Sequence, residues 1–160
     1  MISAPLVVGY GNPLRGDDGL GWEIVRSLAE KHGEDYAHFI AAHQLAPEIA
    51  EHVAAAGLVI FVDAAAHEPP GSITCRKVSA NADDTRPATH HMTPEAVLTM
   101  ARVLYGKEPE TWLYTINGMC FDVGASLSGV VSPKVEEVSW LIASQIDDYV
   151  KTMERTTAHA

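Results

Sequence analysis

Two short and almost entirely apolar runs limit the folds open to this chain more than any other feature. Residues 6–10 (LVVGY) and 58–62 (LVIFV) carry no charged side chain, so a strand built from either run has two apolar faces to bury. Strands of this kind belong to parallel sheets that helices cover on both sides. We therefore predict an α/β fold, a single doubly wound α/β/α sandwich with a mainly parallel central sheet.

The rest of the chain shows the periodicity and end signals of helices and of weaker strands. From Leu20 onward apolar residues recur at helical spacing, and Pro47 and Gly57 lie near the two ends of a second helical segment. Helices are predicted from residue 20 and over 46–56, 94–105 and 133–150. A further strand is predicted over 112–117, and weaker strands over 36–42 and 72–78. One α/β domain accordingly covers residues 1–150, with 151–160 as a flexible C-terminal tail.

Composition and charge exclude several classes of function. The chain has 160 residues, of which 11 are basic and 21 acidic, and the resulting net charge of −10 disfavours nucleic acid as a partner. No apolar run is long enough to span a membrane, and residues 1–10 lack the basic start of a secretory signal. Cys75 and Cys120 are far apart and form no CxxC motif, so neither a zinc ribbon nor a disulfide framework is predicted. We expect a cytoplasmic protein that binds neither nucleic acid nor membrane.

Acidic side chains follow both apolar runs. Asp17 and Asp18 come after the first run, and Asp63 comes directly after the second. The carboxyl ends of parallel strands meet at one edge of the sheet, where doubly wound proteins bind ligands, so all three are candidate site residues. Each also has a structural explanation: one of the pair can cap the next helix, the other can complement its dipole, and Asp63 can be a turn residue. Capping needs only one aspartate, and adjacent helical residues point about 100° apart, which leaves the second free to face a cleft.

The histidine pair His90-His91 offers an imidazole to this group of carboxylates. The pair precedes the helix predicted over 94–105, in a loop that can also be simply exposed. Two carboxylates and one imidazole suit a divalent transition metal such as nickel or zinc, and three ligands leave coordination positions open. His43 and His67, which follow the second and third predicted strands, are alternative imidazole donors.

The glycine-rich segment after the first strand does not fit a nucleotide site. The third glycine of a GxGxxG fingerprint would fall at position 14, which is Leu14. Asp17 and Asp18 then stand at the helix start, where a pyrophosphate needs positive potential. The chain also lacks GKS or GKT for a P-loop, GxSxG for a nucleophile elbow and a local signature for a nucleophilic cysteine. A nucleotide-binding domain is therefore disfavoured.

Several segments, in order along nearly the whole chain, resemble the maturation endopeptidases of [NiFe]-hydrogenases. Residues 9–21 (GYGNPLRGDDGLG) resemble the first motif of that family, a strand end followed by GxGN and an acidic pair before a helix. Residues 61–64 (FVDA) resemble the second acidic block, and 89–94 (THHMTP) the histidine block. Residues 124–128 (GASLS) and 132–133 (SP) resemble the segment before the last helix.

This resemblance implies a doubly wound fold and a cytoplasmic, monomeric peptidase of the aspartic type that recognises metal. Its substrate would be the precursor of a [NiFe]-hydrogenase large subunit, from which a C-terminal extension is cut once nickel is installed. The implied metal-contacting and catalytic residues are Asp18, Asp63 and His90, with nickel presented by the precursor and other divalent metals able to occupy the site. His91 is one residue from the implied ligand, and Asp17 becomes the candidate helix cap.

Two segments depart from the family pattern. Residues 42–45 (AHQL) replace a glycine-rich turn after the second strand, which bears on substrate selection. Residues 127–133 (LSGVVSP) form a longer segment than usual before the last helix. Two other functions use the same three ligands: a nickel-checking chaperone that does not cut its partner, and another metal-dependent hydrolase that needs no hydrogenase.

Overall fold

A computed structural model describes residues 2–81 and 92–159 of the chain. Its strands are β1 (Leu6–Tyr10), β2 (His38–Ala42), β3 (Leu58–Ala65), β4 (Ile73–Val78) and β5 (Glu110–Asn117). Its α-helices are α1 (Leu20–His32), α2 (Ile49–Ala55), α3 (Pro94–Tyr105) and α4 (Lys134–Ala158). A one-turn 3-10 helix, Gly16–Gly19, lies between β1 and α1, and we call it the acidic turn because it contains Asp17 and Asp18.

The strands form one sheet in the order β2-β1-β3-β5-β4. All pairs are parallel except the last, in which β4 runs antiparallel to β5 at the edge of the sheet. The two apolar runs lie side by side, with Val8 opposite Phe61. The predicted α/β fold with a mainly parallel sheet is therefore confirmed.

Helices cover both faces of the sheet, as the apolar strands require. Helices α1 and α4 pack on one face, and α2 and α3 pack on the other. Because side chains alternate along a strand, Ile60 and Val62 of β3 point into the first layer while Phe61 points into the second. All three side chains are completely buried, so the hydrophobic effect holds both layers to the central strands.

Helix α3 has the predicted bounds because its end signals are local. The Thr93 hydroxyl accepts a hydrogen bond from the Ala96 amide at 3.1 Å, and Pro94 occupies the first turn, where a missing amide hydrogen costs nothing. Gly106 ends the helix in the left-handed conformation with φ of 68°. Thr93 and Pro94 thereby fix the amino end of α3 next to the carboxyl ends of β1 and β3.

Three predicted ends were wrong by three residues or more. Helix α2 begins at Ile49 and not at residue 46, because residues 47 and 48 form a turn. Strand β3 continues through Asp63 to Ala65 because β5 pairs with it over that whole length, so Asp63 is a strand residue and not a turn residue. Helix α4 continues to Ala158, whereas its end was predicted at Val150, because neither glycine nor proline follows Val150 to stop it. The segment that was predicted as a flexible C-terminal tail, 151–160, is thus helical through Ala158.

None of the helices within residues 2–81 and 92–159 combines the length and the apolar character that are needed to cross a bilayer.

Candidate functional site

A cleft of about 500 Å³ opens where β1 and β3 end and α3 begins. The carboxyl edge of a parallel sheet is where doubly wound folds place their ligands, because loops there diverge from adjacent strands. The cleft is bounded by charged, polar and apolar groups from the strand ends, the acidic turn and α3: Tyr10, Gly11, Asp18, His43, Gln44, Asp63, Ala64, Arg76, Met92, Thr93, Pro94, Glu95 and Leu113. Two of the predicted site residues, Asp18 and Asp63, therefore share one cleft.

Asp18 is held in the cleft by the loop that leaves β1. The Asn12 amide donates to the Asp18 carboxylate at 2.7 Å, and the Asn12 side-chain oxygen accepts from the Leu14 amide at 2.9 Å. Gly11 adopts φ of 142°, and a Cβ there would lie 2.2 Å from the Asp18 carbonyl oxygen. Only glycine allows this close approach, which explains the glycine that follows the strand.

Asp17 points away from the cleft and is not the helix cap that was predicted. Its side chain is 0% exposed, and its carboxylate accepts hydrogen bonds from the amides of Met119, Cys120 and Ser128 and from the Ser128 hydroxyl. Neither the acidic turn nor α1 has a side-chain cap, because the 3-10 geometry turns Asp17 toward the segment after β5. Burial disfavours the charged form, but these hydrogen bonds outweigh it and lower the pKa of Asp17.

Asp63 lies in β3 opposite Thr115, with its carboxylate in the cleft. Burial, with the negative charge of Asp18 as the second cause, raises the pKa of Asp63 to about 6. The neighbouring Tyr10 hydroxyl favours the charged form of Asp63 and opposes this rise in the pKa of Asp63. A carboxyl group with such a pKa exchanges its proton near neutral pH, as a general acid or base must.

Tyr10 is a site residue that sequence reasoning missed. Its ring contacts Phe61 edge-on, with centroids 6.4 Å apart and planes at 81°. Burial, together with the neighbouring Asp63, raises the pKa of Tyr10, so its hydroxyl stays a neutral donor. Nothing in the sequence indicates this role, because it depends on the register of two strands: Gly9 pairs with Val62, so the next residue of β1 lies level with Asp63.

Arg76 is the cationic side chain that reaches the cleft within the described ranges 2–81 and 92–159. It forms an ion pair with Glu95 in the first turn of α3, with 2.5 Å between Nη1 and Oε1. Its charge is thus offset by a carboxylate other than Asp18 or Asp63. With those two ionised, the cleft has a surplus of negative charge that favours a cation as ligand.

The structure brings His43 to the cleft but not His67. The imidazole of His43 contacts Trp22 edge-on at 5.6 Å between centroids, and the Trp22 indole donates to the carbonyl oxygens of Gly11 and Ala42. His67 is exposed and does not line the cleft. The prediction for His90 and His91 lies outside the described residues, which resume at Met92.

Asp18 and Asp63 are the two carboxylates at the cleft that the ion pair between Arg76 and Glu95 leaves available. Among the residues with described positions, no three histidine, cysteine, aspartate or glutamate side chains lie close enough together to hold a metal ion. Asp18 and Asp63 nevertheless fit a divalent cation, because each prefers to be charged next to one and their mutual repulsion then disappears. The pair can therefore contact a metal that other ligands also hold.

Solved structures share this fold. A [NiFe] hydrogenase maturation protease, HycI, from Thermococcus kodakarensis aligns with a TM-score of 0.72 at 19% identity, over 91% of this chain and 93% of its own. The hydrogenase maturating endopeptidase HybD from Escherichia coli also gives 0.72, at 22% identity over 91% and 93%. A hydrogenase 2 maturation peptidase from a Thaumarchaeota archaeon gives 0.67 at 24% identity over 89% and 97%. The chain has the fold of these peptidases.

No family model matches the sequence, and no curated protein is significantly similar to it.

Proposed function

We propose that this chain is a hydrogenase maturation endopeptidase that removes the C-terminal extension of a [NiFe]-hydrogenase large-subunit precursor after nickel insertion. The observation that carries the proposal is the pair Asp18 and Asp63, two carboxylates that share one cleft on the fold of such peptidases. The motifs at residues 9–21 and 61–64 supply this pair, and those motifs carried the resemblance in the sequence.

In this proposal nickel arrives with the substrate. Asp18, Asp63 and His90 would contact an ion already seated in the precursor and use the coordination positions that it leaves open. The segment that follows His90 supports this role, because Met92 and Thr93 line the cleft that contains both aspartates. An empty precursor offers no cation to relieve the repulsion between the carboxylates, so recognition requires the metal.

Asp63 is the proposed proton carrier in peptide hydrolysis. A water molecule adds to the scissile carbonyl carbon and gives its proton to the Asp63 carboxylate, which faces the cleft where the precursor would bind. The carbon–nitrogen bond then breaks, and the leaving amine takes a proton from the Asp63 carboxyl group. Asp18 and His90 hold the metal-bearing segment in place during both steps.

The test is the mass of a nickel-loaded precursor after incubation with the protein, beside a nickel-free precursor. We expect loss of a C-terminal peptide from the loaded form alone. Asp18→Ala and Asp63→Ala should abolish the cleavage while the circular dichroism spectrum stays native. Normal processing by both variants would rule out the assigned site.

Binding without cleavage by the native protein would favour the nickel-checking chaperone. Cleavage of small substrates in the absence of any precursor would favour another hydrolase.

A further inference from the structure

Asp17 is a buried charged residue that the proposed chemistry does not use. Its carboxylate is fully buried and accepts four hydrogen bonds, three from backbone amides and one from a hydroxyl. The distances range from 2.7 Å, for the amides of Met119 and Ser128, to 3.0 Å for Cys120. Charge-assisted bonds of this kind are about twice as strong as neutral ones, so Asp17 holds its partners firmly.

These bonds join two parts of the chain that each lead to a site carboxylate. On one side, Asp17 directly precedes Asp18 in the acidic turn. On the other side, Met119 and Cys120 continue from the end of β5, and the Gly118 amide donates to the carbonyl oxygen of Ala65 at 2.8 Å. Ala65 ends β3, two residues after Asp63. Asp17 is thus the link between the turn that carries one carboxylate and the strand that carries the other.

Backbone hydrogen bonds keep the same two segments at a fixed spacing. The Asp17 amide donates to the Cys120 carbonyl oxygen at 2.8 Å, and the Gly16 amide donates to that of Ala125 at 3.1 Å. Gly16 adopts φ of 55°, and a Cβ there would lie 2.4 Å from the Cys120 carbonyl oxygen. The acidic turn therefore fits against this segment in one position.

We propose that Asp17 is a positioning residue, which sets the placement of the Asp18 carboxylate relative to that of Asp63. The inference rests on the proposed function, in which both carboxylates act on one nickel-bearing segment. Asp17 itself touches neither the cleft nor the substrate. Its effect passes through the turn to Asp18 and through residues 118–120 to β3.

A carboxylate is needed because donors face both of its oxygens. The Ser128 amide donates to Oδ1, while the Met119 and Cys120 amides and the Ser128 hydroxyl donate to Oδ2. In Asp17→Asn the side-chain NH₂ group faces a backbone N–H donor in either orientation. The hydrogen bonds on that side, either to Ser128 or to Met119 and Cys120, must therefore break. Ser128→Ala removes the hydroxyl bond alone and leaves the three amide bonds in place.

The experiment compares crystal structures and kinetics of the native protein with Asp17→Asn, Ser128→Ala and a control, Asp122→Asn. Asp122 lies exposed in the same segment, so its variant makes the same charge change away from the link. In Asp17→Asn we expect the Asp18 carboxylate to move by about 1 Å relative to Asp63. Partners that orient metal-contacting groups are worth about 10–100-fold in activity, so kcat for the nickel-loaded precursor should fall by at least tenfold. KM should change less than twofold.

Ser128→Ala should lower kcat by less than Asp17→Asn does, because it removes one of the four hydrogen bonds to the carboxylate, and Asp122→Asn should match the native protein. A folded Asp17→Asn protein with Asp18 unmoved overturns the inference, whatever its activity. So does an Asp17→Asn protein that fails to fold while Ser128→Ala keeps the native kcat, since Asp17 then only stabilises the fold. If the native protein leaves every precursor uncut, the proposed function fails, and the crystal structures still decide whether Asp17 positions Asp18.

Discussion

Asp63→Asn should stabilise the folded protein at neutral pH, although it removes a proposed catalytic group. Burial and the charge of Asp18 raise the pKa of Asp63 from its ordinary value of 3.8 to about 6. The folded state therefore binds a proton more tightly than the unfolded state, and ionisation of Asp63 opposes folding. A pKa difference of one unit corresponds to about 1.4 kcal/mol, so ionisation of Asp63 lowers the free energy of unfolding by about 3 kcal/mol in total, of which about 2.5 kcal/mol is lost as the pH rises from 4 to 8.

The asparagine variant has no such ionisation to lose. At pH 4 the Asp63 carboxyl group is protonated in the folded state, so the variant and the native protein should be nearly equally stable. At pH 8 the variant should be more stable by about 3 kcal/mol, with most of the difference arising between pH 4 and pH 6. The Tyr10 hydroxyl does not offset this gain, because an asparagine side-chain oxygen can accept from it as a carboxylate oxygen can.

Urea unfolding at a series of pH values from 4 to 8, followed by circular dichroism, measures the difference directly. Asp122→Asn serves as the matched control, because it removes an exposed carboxylate and should show no such slope. A stability difference between Asp63→Asn and the native protein that stays constant with pH would refute the argument. So would a difference of the opposite sign at pH 8.

Three further predictions concern other buried parts of the fold. Asp17→Asn should lower the free energy of unfolding by about 2–3 kcal/mol at pH 7, because the hydrogen bonds to the charged carboxylate that lower the pKa of Asp17 in the folded state are lost. Denaturant curves at pH 7 and pH 3 measure this loss, which should shrink as the pH falls below about 4. Gly9→Ala should cost about 3 kcal/mol or more in thermal unfolding, because the new Cβ would lie 2.1 Å from the Gly21 carbonyl oxygen; a native melting temperature would contradict this. Leu98→Ala should lower the free energy of unfolding in urea by about 2–5 kcal/mol, because Leu98 is fully buried between α3 and the sheet. A loss below about 1 kcal/mol would mean that neighbouring side chains fill the cavity.

The sheet and α3 could be predicted from the sequence because their signals are local. An apolar run identifies a strand with two buried faces, and Thr93, Pro94 and Gly106 mark the ends of α3 within a few residues of one another. The carboxyl end of β3 is set instead by pairing with β5, some fifty residues later in the chain, so Asp63 was placed one residue beyond a strand that in fact contains it.

The candidate site was predictable in part for the same reason. Asp18 and Asp63 were assigned to one edge of the sheet because parallel strands end there together, and both line the cleft. The role of Asp17 was not predictable, because its hydrogen-bond donors lie at Met119, Cys120 and Ser128, more than a hundred residues away. A helix-capping role was the local solution, and tertiary contacts overrode it.

The hydrogen bonds between Asp17 and the segment after β5 also bear on when the site forms during synthesis. Strands β1, β2 and β3 lie next to one another in the sheet, and all three belong to the first 65 residues of the chain to be synthesised. The partners of Asp17 come 102 to 111 residues after it, so the acidic turn has no anchor until β5 and Ser128 have been made. Contacts between such distant residues form slowly and late in folding. Three of the five strands therefore precede the contacts that anchor the acidic turn, whereas β5, the partners of Asp17 and α4 follow one another late in the chain. The geometry of the carboxylate pair is completed together with this last part of the sheet and its covering helix.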